Sequence, residues 1–102
     1  MRKLEYRQGD VSLWRIDKPG KTGKRVGKDK LTLALGEVTG HSHTLVGEVA
    51  EFSINGERVF WVEAPATLDH QEHAAQTVQP GWYVIDQPQV QYTPQAIQRV
   101  LD

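Results

Sequence analysis

The stretch "VAEFSINGERVFWVEA" (residues 49–64) decides the fold of this chain. Two runs rich in β-branched and aromatic residues flank the dipeptide Asn55-Gly56. This dipeptide favours a two-residue type I′ hairpin turn, because both central positions need a positive φ angle. The turn predicts that Phe52 faces Val59 across the hairpin, and apolar side chains then lie on both of its faces. A sheet that is partly apolar on both faces indicates a sandwich or a small barrel.

Further runs of β-forming residues lie on both sides of this hairpin, with turn residues between them. Short strands at close spacing predict an all-β fold. The length of 102 residues fits one domain, residues 1–102. We therefore predict an all-β barrel or sandwich with a short C-terminal helix. The predicted strands outside the hairpin span residues 10–16, 30–38, 43–46, 79–86 and 90–93, and the predicted helix spans residues 93–102.

Charge is unevenly distributed along the chain. Residues 1–30 contain ten Lys or Arg and four Asp or Glu, whereas residues 31–102 contain two and nine. Six of the basic residues fall in "DKPGKTGKRVGKDK" (17–30), whose glycines and proline predict an exposed, flexible loop. Its "GKT" lacks the earlier glycine of a phosphate-binding loop. Charge compensation within the fold explains such a segment, and nonspecific nucleic-acid binding is the alternative.

Composition excludes several classes of protein. The chain contains no cysteine, which excludes disulfides and thiolate metal sites. No apolar run approaches the roughly 18 residues of a membrane span. The first ten residues are basic but lack the apolar segment of a secretory signal. We therefore expect a cytoplasmic protein without membrane contact.

All four histidines lie in two pairs, one in "GEVTGHSHTL" (36–45) and one in "LDHQEHA" (68–74). Residues i and i+2 of a strand point to the same face, so the first pair presents two imidazoles side by side. The second pair has a spacing of three and converges only in a turn or a helical turn. Because imidazole is the commonest metal ligand in proteins, two such pairs indicate a metal site with nitrogen ligands.

Carboxylates near the pairs add candidate ligands or partners that orient an imidazole, namely Glu37, Glu48 and Glu72. Nitrogen and oxygen ligands without sulfur suit zinc, iron, manganese, nickel or copper, and the pattern does not choose among these metals. A site closed by four ligands is structural, whereas three ligands and an open position allow catalysis. We predict a divalent-metal site formed by His41, His43, His70, His73 and Glu48.

The stretch at residues 36–56 resembles the first motif of the cupins, a family of small β-barrels. In that motif a glycine precedes His-x-His, and a glutamate follows a few residues later. Gly36, His41, His43 and Glu48 take those places here. The resemblance implies a cupin-like barrel in which both histidines and the glutamate are metal ligands.

The second cupin motif is matched only in part. Its third ligand histidine follows a Pro-x-Gly turn, whereas here Pro80 and Gly81 are adjacent and no histidine follows them. The resemblance therefore implies that His70 or His73 supplies the third imidazole from another loop. The order "GEVTGH-x-H", "H-x-EH" and "PGWY" also resembles small uncharacterised bacterial and phage-type proteins.

Two functions fit these features. One is a small metal-binding β-barrel protein that acts on a small-molecule ligand if the metal keeps an open position. The other is a non-enzymatic binding or accessory module whose histidine site is structural. Its surface for a protein or nucleic-acid partner would include residues 17–30, with Trp14, Trp82 or Tyr83 as anchors. A homo-oligomer is compatible with both functions.

Overall fold

Eight β-strands make up the part of the chain that the computed structural model describes, residues 2–21, 23–35 and 41–86. Within these ranges no helix is long and apolar enough to cross a membrane. The strands are β1 (Lys3–Gln8), β2 (Val11–Ile16), β3 (Lys24–Leu35), β4 (Ser42–Ile54), β5 (Glu57–Val62), β6 (Ala66–Asp69), β7 (Gln76–Val78) and β8 (Gly81–Asp86).

One antiparallel sheet holds these strands in the order β1-β2-β8-β5-β4-β6-β7, and β3 pairs with β4. The long strand β4 pairs with β6 through its first half and with β5 through its second half. The two ends of the order approach each other, because the Gln76 side-chain amide donates to the Arg7 carbonyl oxygen at 2.6 Å. The sheet is a nearly closed barrel, and the predicted all-β barrel is confirmed.

The central hairpin has the predicted register. Asn55 and Gly56 have φ angles of 53° and 79°, as a type I′ turn requires. Phe52 pairs with Val59, so the two arms align as the turn predicts. Alternation along β5 then directs Phe60, which is fully buried, towards the opposite face, the barrel interior.

The barrel interior is an apolar core to which most strands contribute. Removal of this much apolar surface from water is the main favourable term of folding. The core also holds the sheet in its curved form, so that the turns at each end of the barrel have defined positions. Its buried members are Leu13, Leu31, Leu33, Leu45, Val49, Phe60, Val62, Ala66, Leu68, Val78 and Tyr83.

The basic segment 17–30 is a loop only in its first part. Residues Lys24–Leu35 form β3, so the predicted loop is wrong from Lys24 onward. The strand accommodates its irregular composition through three register shifts, which leave Val26, Asp29 and Leu33 unpaired with β4. Pairing with β4 and two buried leucines in the second half of β3 override the local loop preference.

Most of the other predicted strands are confirmed, with changed boundaries. Residues 43–46 and the first hairpin arm belong to one continuous strand, β4. Three strands were not predicted: β1, which is rich in charged residues, and the short strands β6 and β7. The predicted strand at residues 90–93 and the predicted helix at residues 93–102 lie outside the described residues.

Candidate metal centre

The four histidines meet at one end of the barrel. His41 and His43 lie at the start of β4, and His70 and His73 lie in the loop between β6 and β7. The pairing of β4 with β6 brings these two segments together. Ring centroids are separated by 4.4 Å for His43–His70, 4.6 Å for His70–His73, 5.6 Å for His41–His70 and 6.0 Å for His43–His73.

The turn between β1 and β2 closes the site from the other side. Gly9 has a φ angle of 57° and precedes Asp10, an order typical of a type II′ turn. A Cβ atom on Gly9 would lie 2.7 Å from Nε2 of His73 and 3.3 Å from Cε1 of His43. Glycine therefore serves two needs here, the left-handed backbone and the close approach of the turn to the imidazole rings.

Gln8 sets the protonation of the buried His43 ring. The Gln8 side-chain amide nitrogen donates to the carbonyl oxygens of Leu68 at 3.0 Å and Ala74 at 3.1 Å. These bonds orient its Oε1 atom, which lies 2.9 Å from Nδ1 of His43. Because this oxygen can only accept, Nδ1 carries the proton and donates it. The neutral ring therefore has its lone pair on Nε2.

Nε2 of His43 faces the carboxylate of Asp10. Its distance to Oδ1 is 3.3 Å, and the buried Oδ2 atom has no hydrogen-bond partner in the described part of the chain. A ring lone pair and a carboxylate are both acceptors, so the pair needs a cation between them, either a proton or a metal ion. Burial is the main factor that lowers the pKa of His43, His70 lowers this pKa further, and Asp10 acts in the opposite direction without reversing the shift.

The other three histidines differ in how firmly their rings are held. The backbone N–H of Glu72 donates to Nδ1 of His70 at 3.0 Å, which fixes the orientation of that ring. Burial, followed by the charge of His73, lowers the pKa of His70. Within the described residues no hydrogen bond holds the exposed His73 ring. His41 is held at its Nδ1 atom, 3.3 Å from a carboxylate oxygen of Glu72.

The donor atoms do not yet surround a single point. Among residues 2–21, 23–35 and 41–86, no group of three His, Asp or Glu side chains is arranged to hold a metal ion as it stands. Glu48 lies further along β4, is exposed, and takes part in none of the contacts between the histidines. Its backbone carbonyl accepts from the Glu63 N–H at 2.9 Å. Glu37 lies outside the described residues.

Gln8 and Asp10 were missed by the sequence analysis, although both contact the most buried histidine. They flank a Gly in "RQGD" (7–10), and this short polar turn at the start of a predicted strand was the available signal. This signal did not point to the histidine site, because β1 was not predicted and no local pattern placed the turn near the histidines.

One family matches most of this fold. The family described as "Domain of unknown function (DUF8820)" matches residues 7–87. The chain belongs to this family. The DUF8820 match begins just before the Gly9-Asp10 turn and includes all four histidines and all the strands from β2 to β8. No curated protein and no solved structure matches the chain significantly.

Proposed function

We propose that the chain is a metal-binding β-barrel protein that holds one divalent ion between Asp10 and the histidines. The observation that supports this function best is the contact between the buried His43 and the partly buried Asp10. Two acceptor atoms face each other at 3.3 Å, and the second carboxylate oxygen has no partner in the described residues. A buried carboxylate oxygen without a hydrogen-bond partner is accounted for when the carboxylate coordinates a metal ion.

The separation of the two atoms suits a metal. Tetrahedral ligands with bonds of about 2.0–2.1 Å to a zinc ion lie about 3.3–3.4 Å from each other. The distance from Nε2 of His43 to Oδ1 of Asp10 is 3.3 Å. The Gln8 contact with Nδ1 supports the same role, because a metal-binding imidazole commonly donates its other N–H to a protein acceptor.

His73 is the best candidate for the third ligand. Its Nε2 atom already lies near Gly9 and the edge of the His43 ring. Because no hydrogen bond within the described chain fixes this exposed ring, the His73 side chain can change rotamer to reach a bound ion at little cost. His70 would first have to release the bond from Glu72, so we leave His70 out of the ligand set, and the fourth position stays open for water. Asp10 takes the carboxylate role that the cupin resemblance assigns to Glu48.

Among the candidate metals, zinc fits this set of imidazole and carboxylate ligands best. Three imidazoles or two imidazoles with a carboxylate and no thiolate are typical of zinc sites that keep one position for water. An ion held in this way would lower the pKa of a bound water to about 7 and would supply a nucleophile. The exposed side chains of Glu72 and His73 leave this end of the barrel accessible to a small substrate.

Zinc titration of untagged, chelator-treated protein tests the proposal. We expect one ion per chain, and we expect Asp10→Asn to weaken zinc binding more than about 100-fold, since it removes a ligand charge. The metal-free Asp10→Asn variant should be at least as stable as the original chain, because its amide can donate to Nε2 of His43. Glu48→Gln is the matched control and should bind zinc unchanged.

Two results would contradict this function. One is a zinc content and affinity that Asp10→Asn leaves unchanged. The other is a loss of binding in Glu48→Gln equal to that in Asp10→Asn. Cobalt(II) provides a second readout, because a tetrahedral site with nitrogen and oxygen ligands gives intense visible absorption that an octahedral surface site does not.

A further inference from the structure

A second recess lies at the other end of β4 and shares no residue with the histidine site. It has a volume of about 280 Å³. The β4–β5 hairpin, the start of β8 and the loop that follows β2 form its walls. Its principal lining residues are Lys18, Lys21, Phe52, Ile54, Trp61 and Trp82. We call it the tryptophan pocket.

Aromatic rings form the floor of the tryptophan pocket. Trp61 and Trp82 are cross-strand partners, and their rings stack with a centroid separation of 5.6 Å and an interplanar angle of 15°. The ring centroids of Phe52 and Trp82 are 5.7 Å apart. All three side chains are only half-buried, so part of this flat aromatic surface faces the pocket. Such a surface binds another flat ring by stacking.

Lysines form the rim of the same pocket. Lys18 and Lys21 are exposed, and no carboxylate forms an ion pair with either within residues 2–21, 23–35 and 41–86. Gly23, which follows this loop, lies tightly against the hairpin, since a Cβ atom at this position would clash with the Ser53 carbonyl oxygen. The positive charges therefore stand beside the aromatic floor.

We propose that the tryptophan pocket binds single-stranded nucleic acid, with one base stacked on Trp82 and the adjoining phosphates held by Lys18 and Lys21. Stacking platforms beside a basic groove are the common means by which proteins bind single strands without sequence preference. A duplex keeps its bases within its own stack, and an acidic peptide offers charge without a flat ring. The inference does not depend on the metal site.

Fluorescence anisotropy with a 5′-labelled ten-nucleotide oligothymidylate tests the proposal on the whole chain. We expect binding that weakens steeply with salt. Trp82→Leu should weaken it about tenfold, because one base loses its stacking partner. Trp14→Leu, on β2 outside the pocket lining, is the matched control and should bind unchanged.

The two lysines provide a variant that leaves the aromatic packing intact. The double variant Lys18→Gln/Lys21→Gln should lower the slope of log affinity against log salt by about 1.4, since two phosphate contacts are lost. The double variant Lys28→Gln/Lys30→Gln removes the same charge from β3, outside the pocket, and should lower this slope less. If Trp82→Leu does not fold, as circular dichroism would show, the lysine comparison decides alone.

Three outcomes would overturn the proposal. The first is equal affinity for the single strand and for a ten-base-pair duplex, which would indicate purely electrostatic binding. The second is equal loss in the two lysine double variants. The third is displacement of the oligonucleotide by polyglutamate of equal charge at equal concentration, which would indicate an acidic protein partner.

Discussion

The two ends of β4 use opposite kinds of interaction. At its start, His43 is almost fully buried and is held by directed contacts with Gln8 and Asp10. Near its end, Phe52 is half-buried and packs on Trp82 without a hydrogen bond. Directed contacts fail when one atom is replaced, whereas stacked rings tolerate substitutions of similar shape. We therefore expect single substitutions to have larger effects at the histidine end than at the aromatic end.

Gln8→Leu should give the largest effect on stability. Leucine leaves the Leu68 and Ala74 carbonyl oxygens without their donor and His43 without its acceptor. We expect the free energy of unfolding of the metal-free chain to fall by about 2–4 kcal/mol, as buried polar groups lose their partners. Zinc binding should weaken about 10–100-fold. Urea denaturation and zinc titration measure the two effects.

Gln76→Leu is the matched control for this prediction. It also removes one side-chain amide from the seam between β1 and β7, but its contact with Arg7 is exposed. We expect a cost of about 1 kcal/mol or less and unchanged zinc affinity. An equal loss in the free energy of unfolding for the two variants would mean that the buried hydrogen bonds at the histidine end stabilise the fold no more than a surface contact does.

The titration of Tyr83 tests whether water reaches the barrel interior between the two ends of β4. Burial raises the pKa of the Tyr83 hydroxyl to about 12, although the Arg15 guanidinium acts in the opposite direction. The hydroxyl donates to the Gln79 carbonyl oxygen and accepts from Arg15, both at 2.7 Å. Because the folded pKa lies above the unfolded value of about 10, the neutral phenol stabilises the fold fully below about pH 10. This contribution is lost as the pH rises towards 12.

Absorbance at 295 nm, compared between the original chain and Tyr83→Phe, isolates the titration of this residue. The difference should rise only near pH 12. A midpoint near pH 10 would show that water reaches the hydroxyl and that the interior does not separate the two ends of the barrel. The variant itself should leave zinc and oligonucleotide binding unchanged, because Tyr83 lines neither site.

Glu57→Gln should give the smallest effect. Arg2 contacts both carboxylate oxygens of Glu57, at 2.9 and 2.7 Å, next to the type I′ turn. Both side chains are about half-exposed, so water and salt screen the pair. We expect the free energy of unfolding to change by about 0.5 kcal/mol or less. A loss above about 2 kcal/mol in chemical denaturation would show that directed contacts matter equally at the aromatic end.

The central hairpin was predicted in detail because its turn chemistry is local. Asn55 and Gly56 both adopt positive φ angles, and the register that follows pairs Phe52 with Val59. The basic segment shows the opposite case. Its glycines and lysines favour a loop, yet residues from Lys24 onward form β3, because a distant partner strand supplies the backbone hydrogen bonds.

The sequence by itself determined the all-β class, the hairpin register and the choice of histidines as the chemically informative residues. These depend on turn preference, alternation and residue chemistry, which are readable over a few positions. Only the tertiary structure brought Gln8 and Asp10 to His43, and only it placed Lys18 beside Trp82. Such contacts join residues far apart in the chain, and strand order rather than local pattern decides which of them meet.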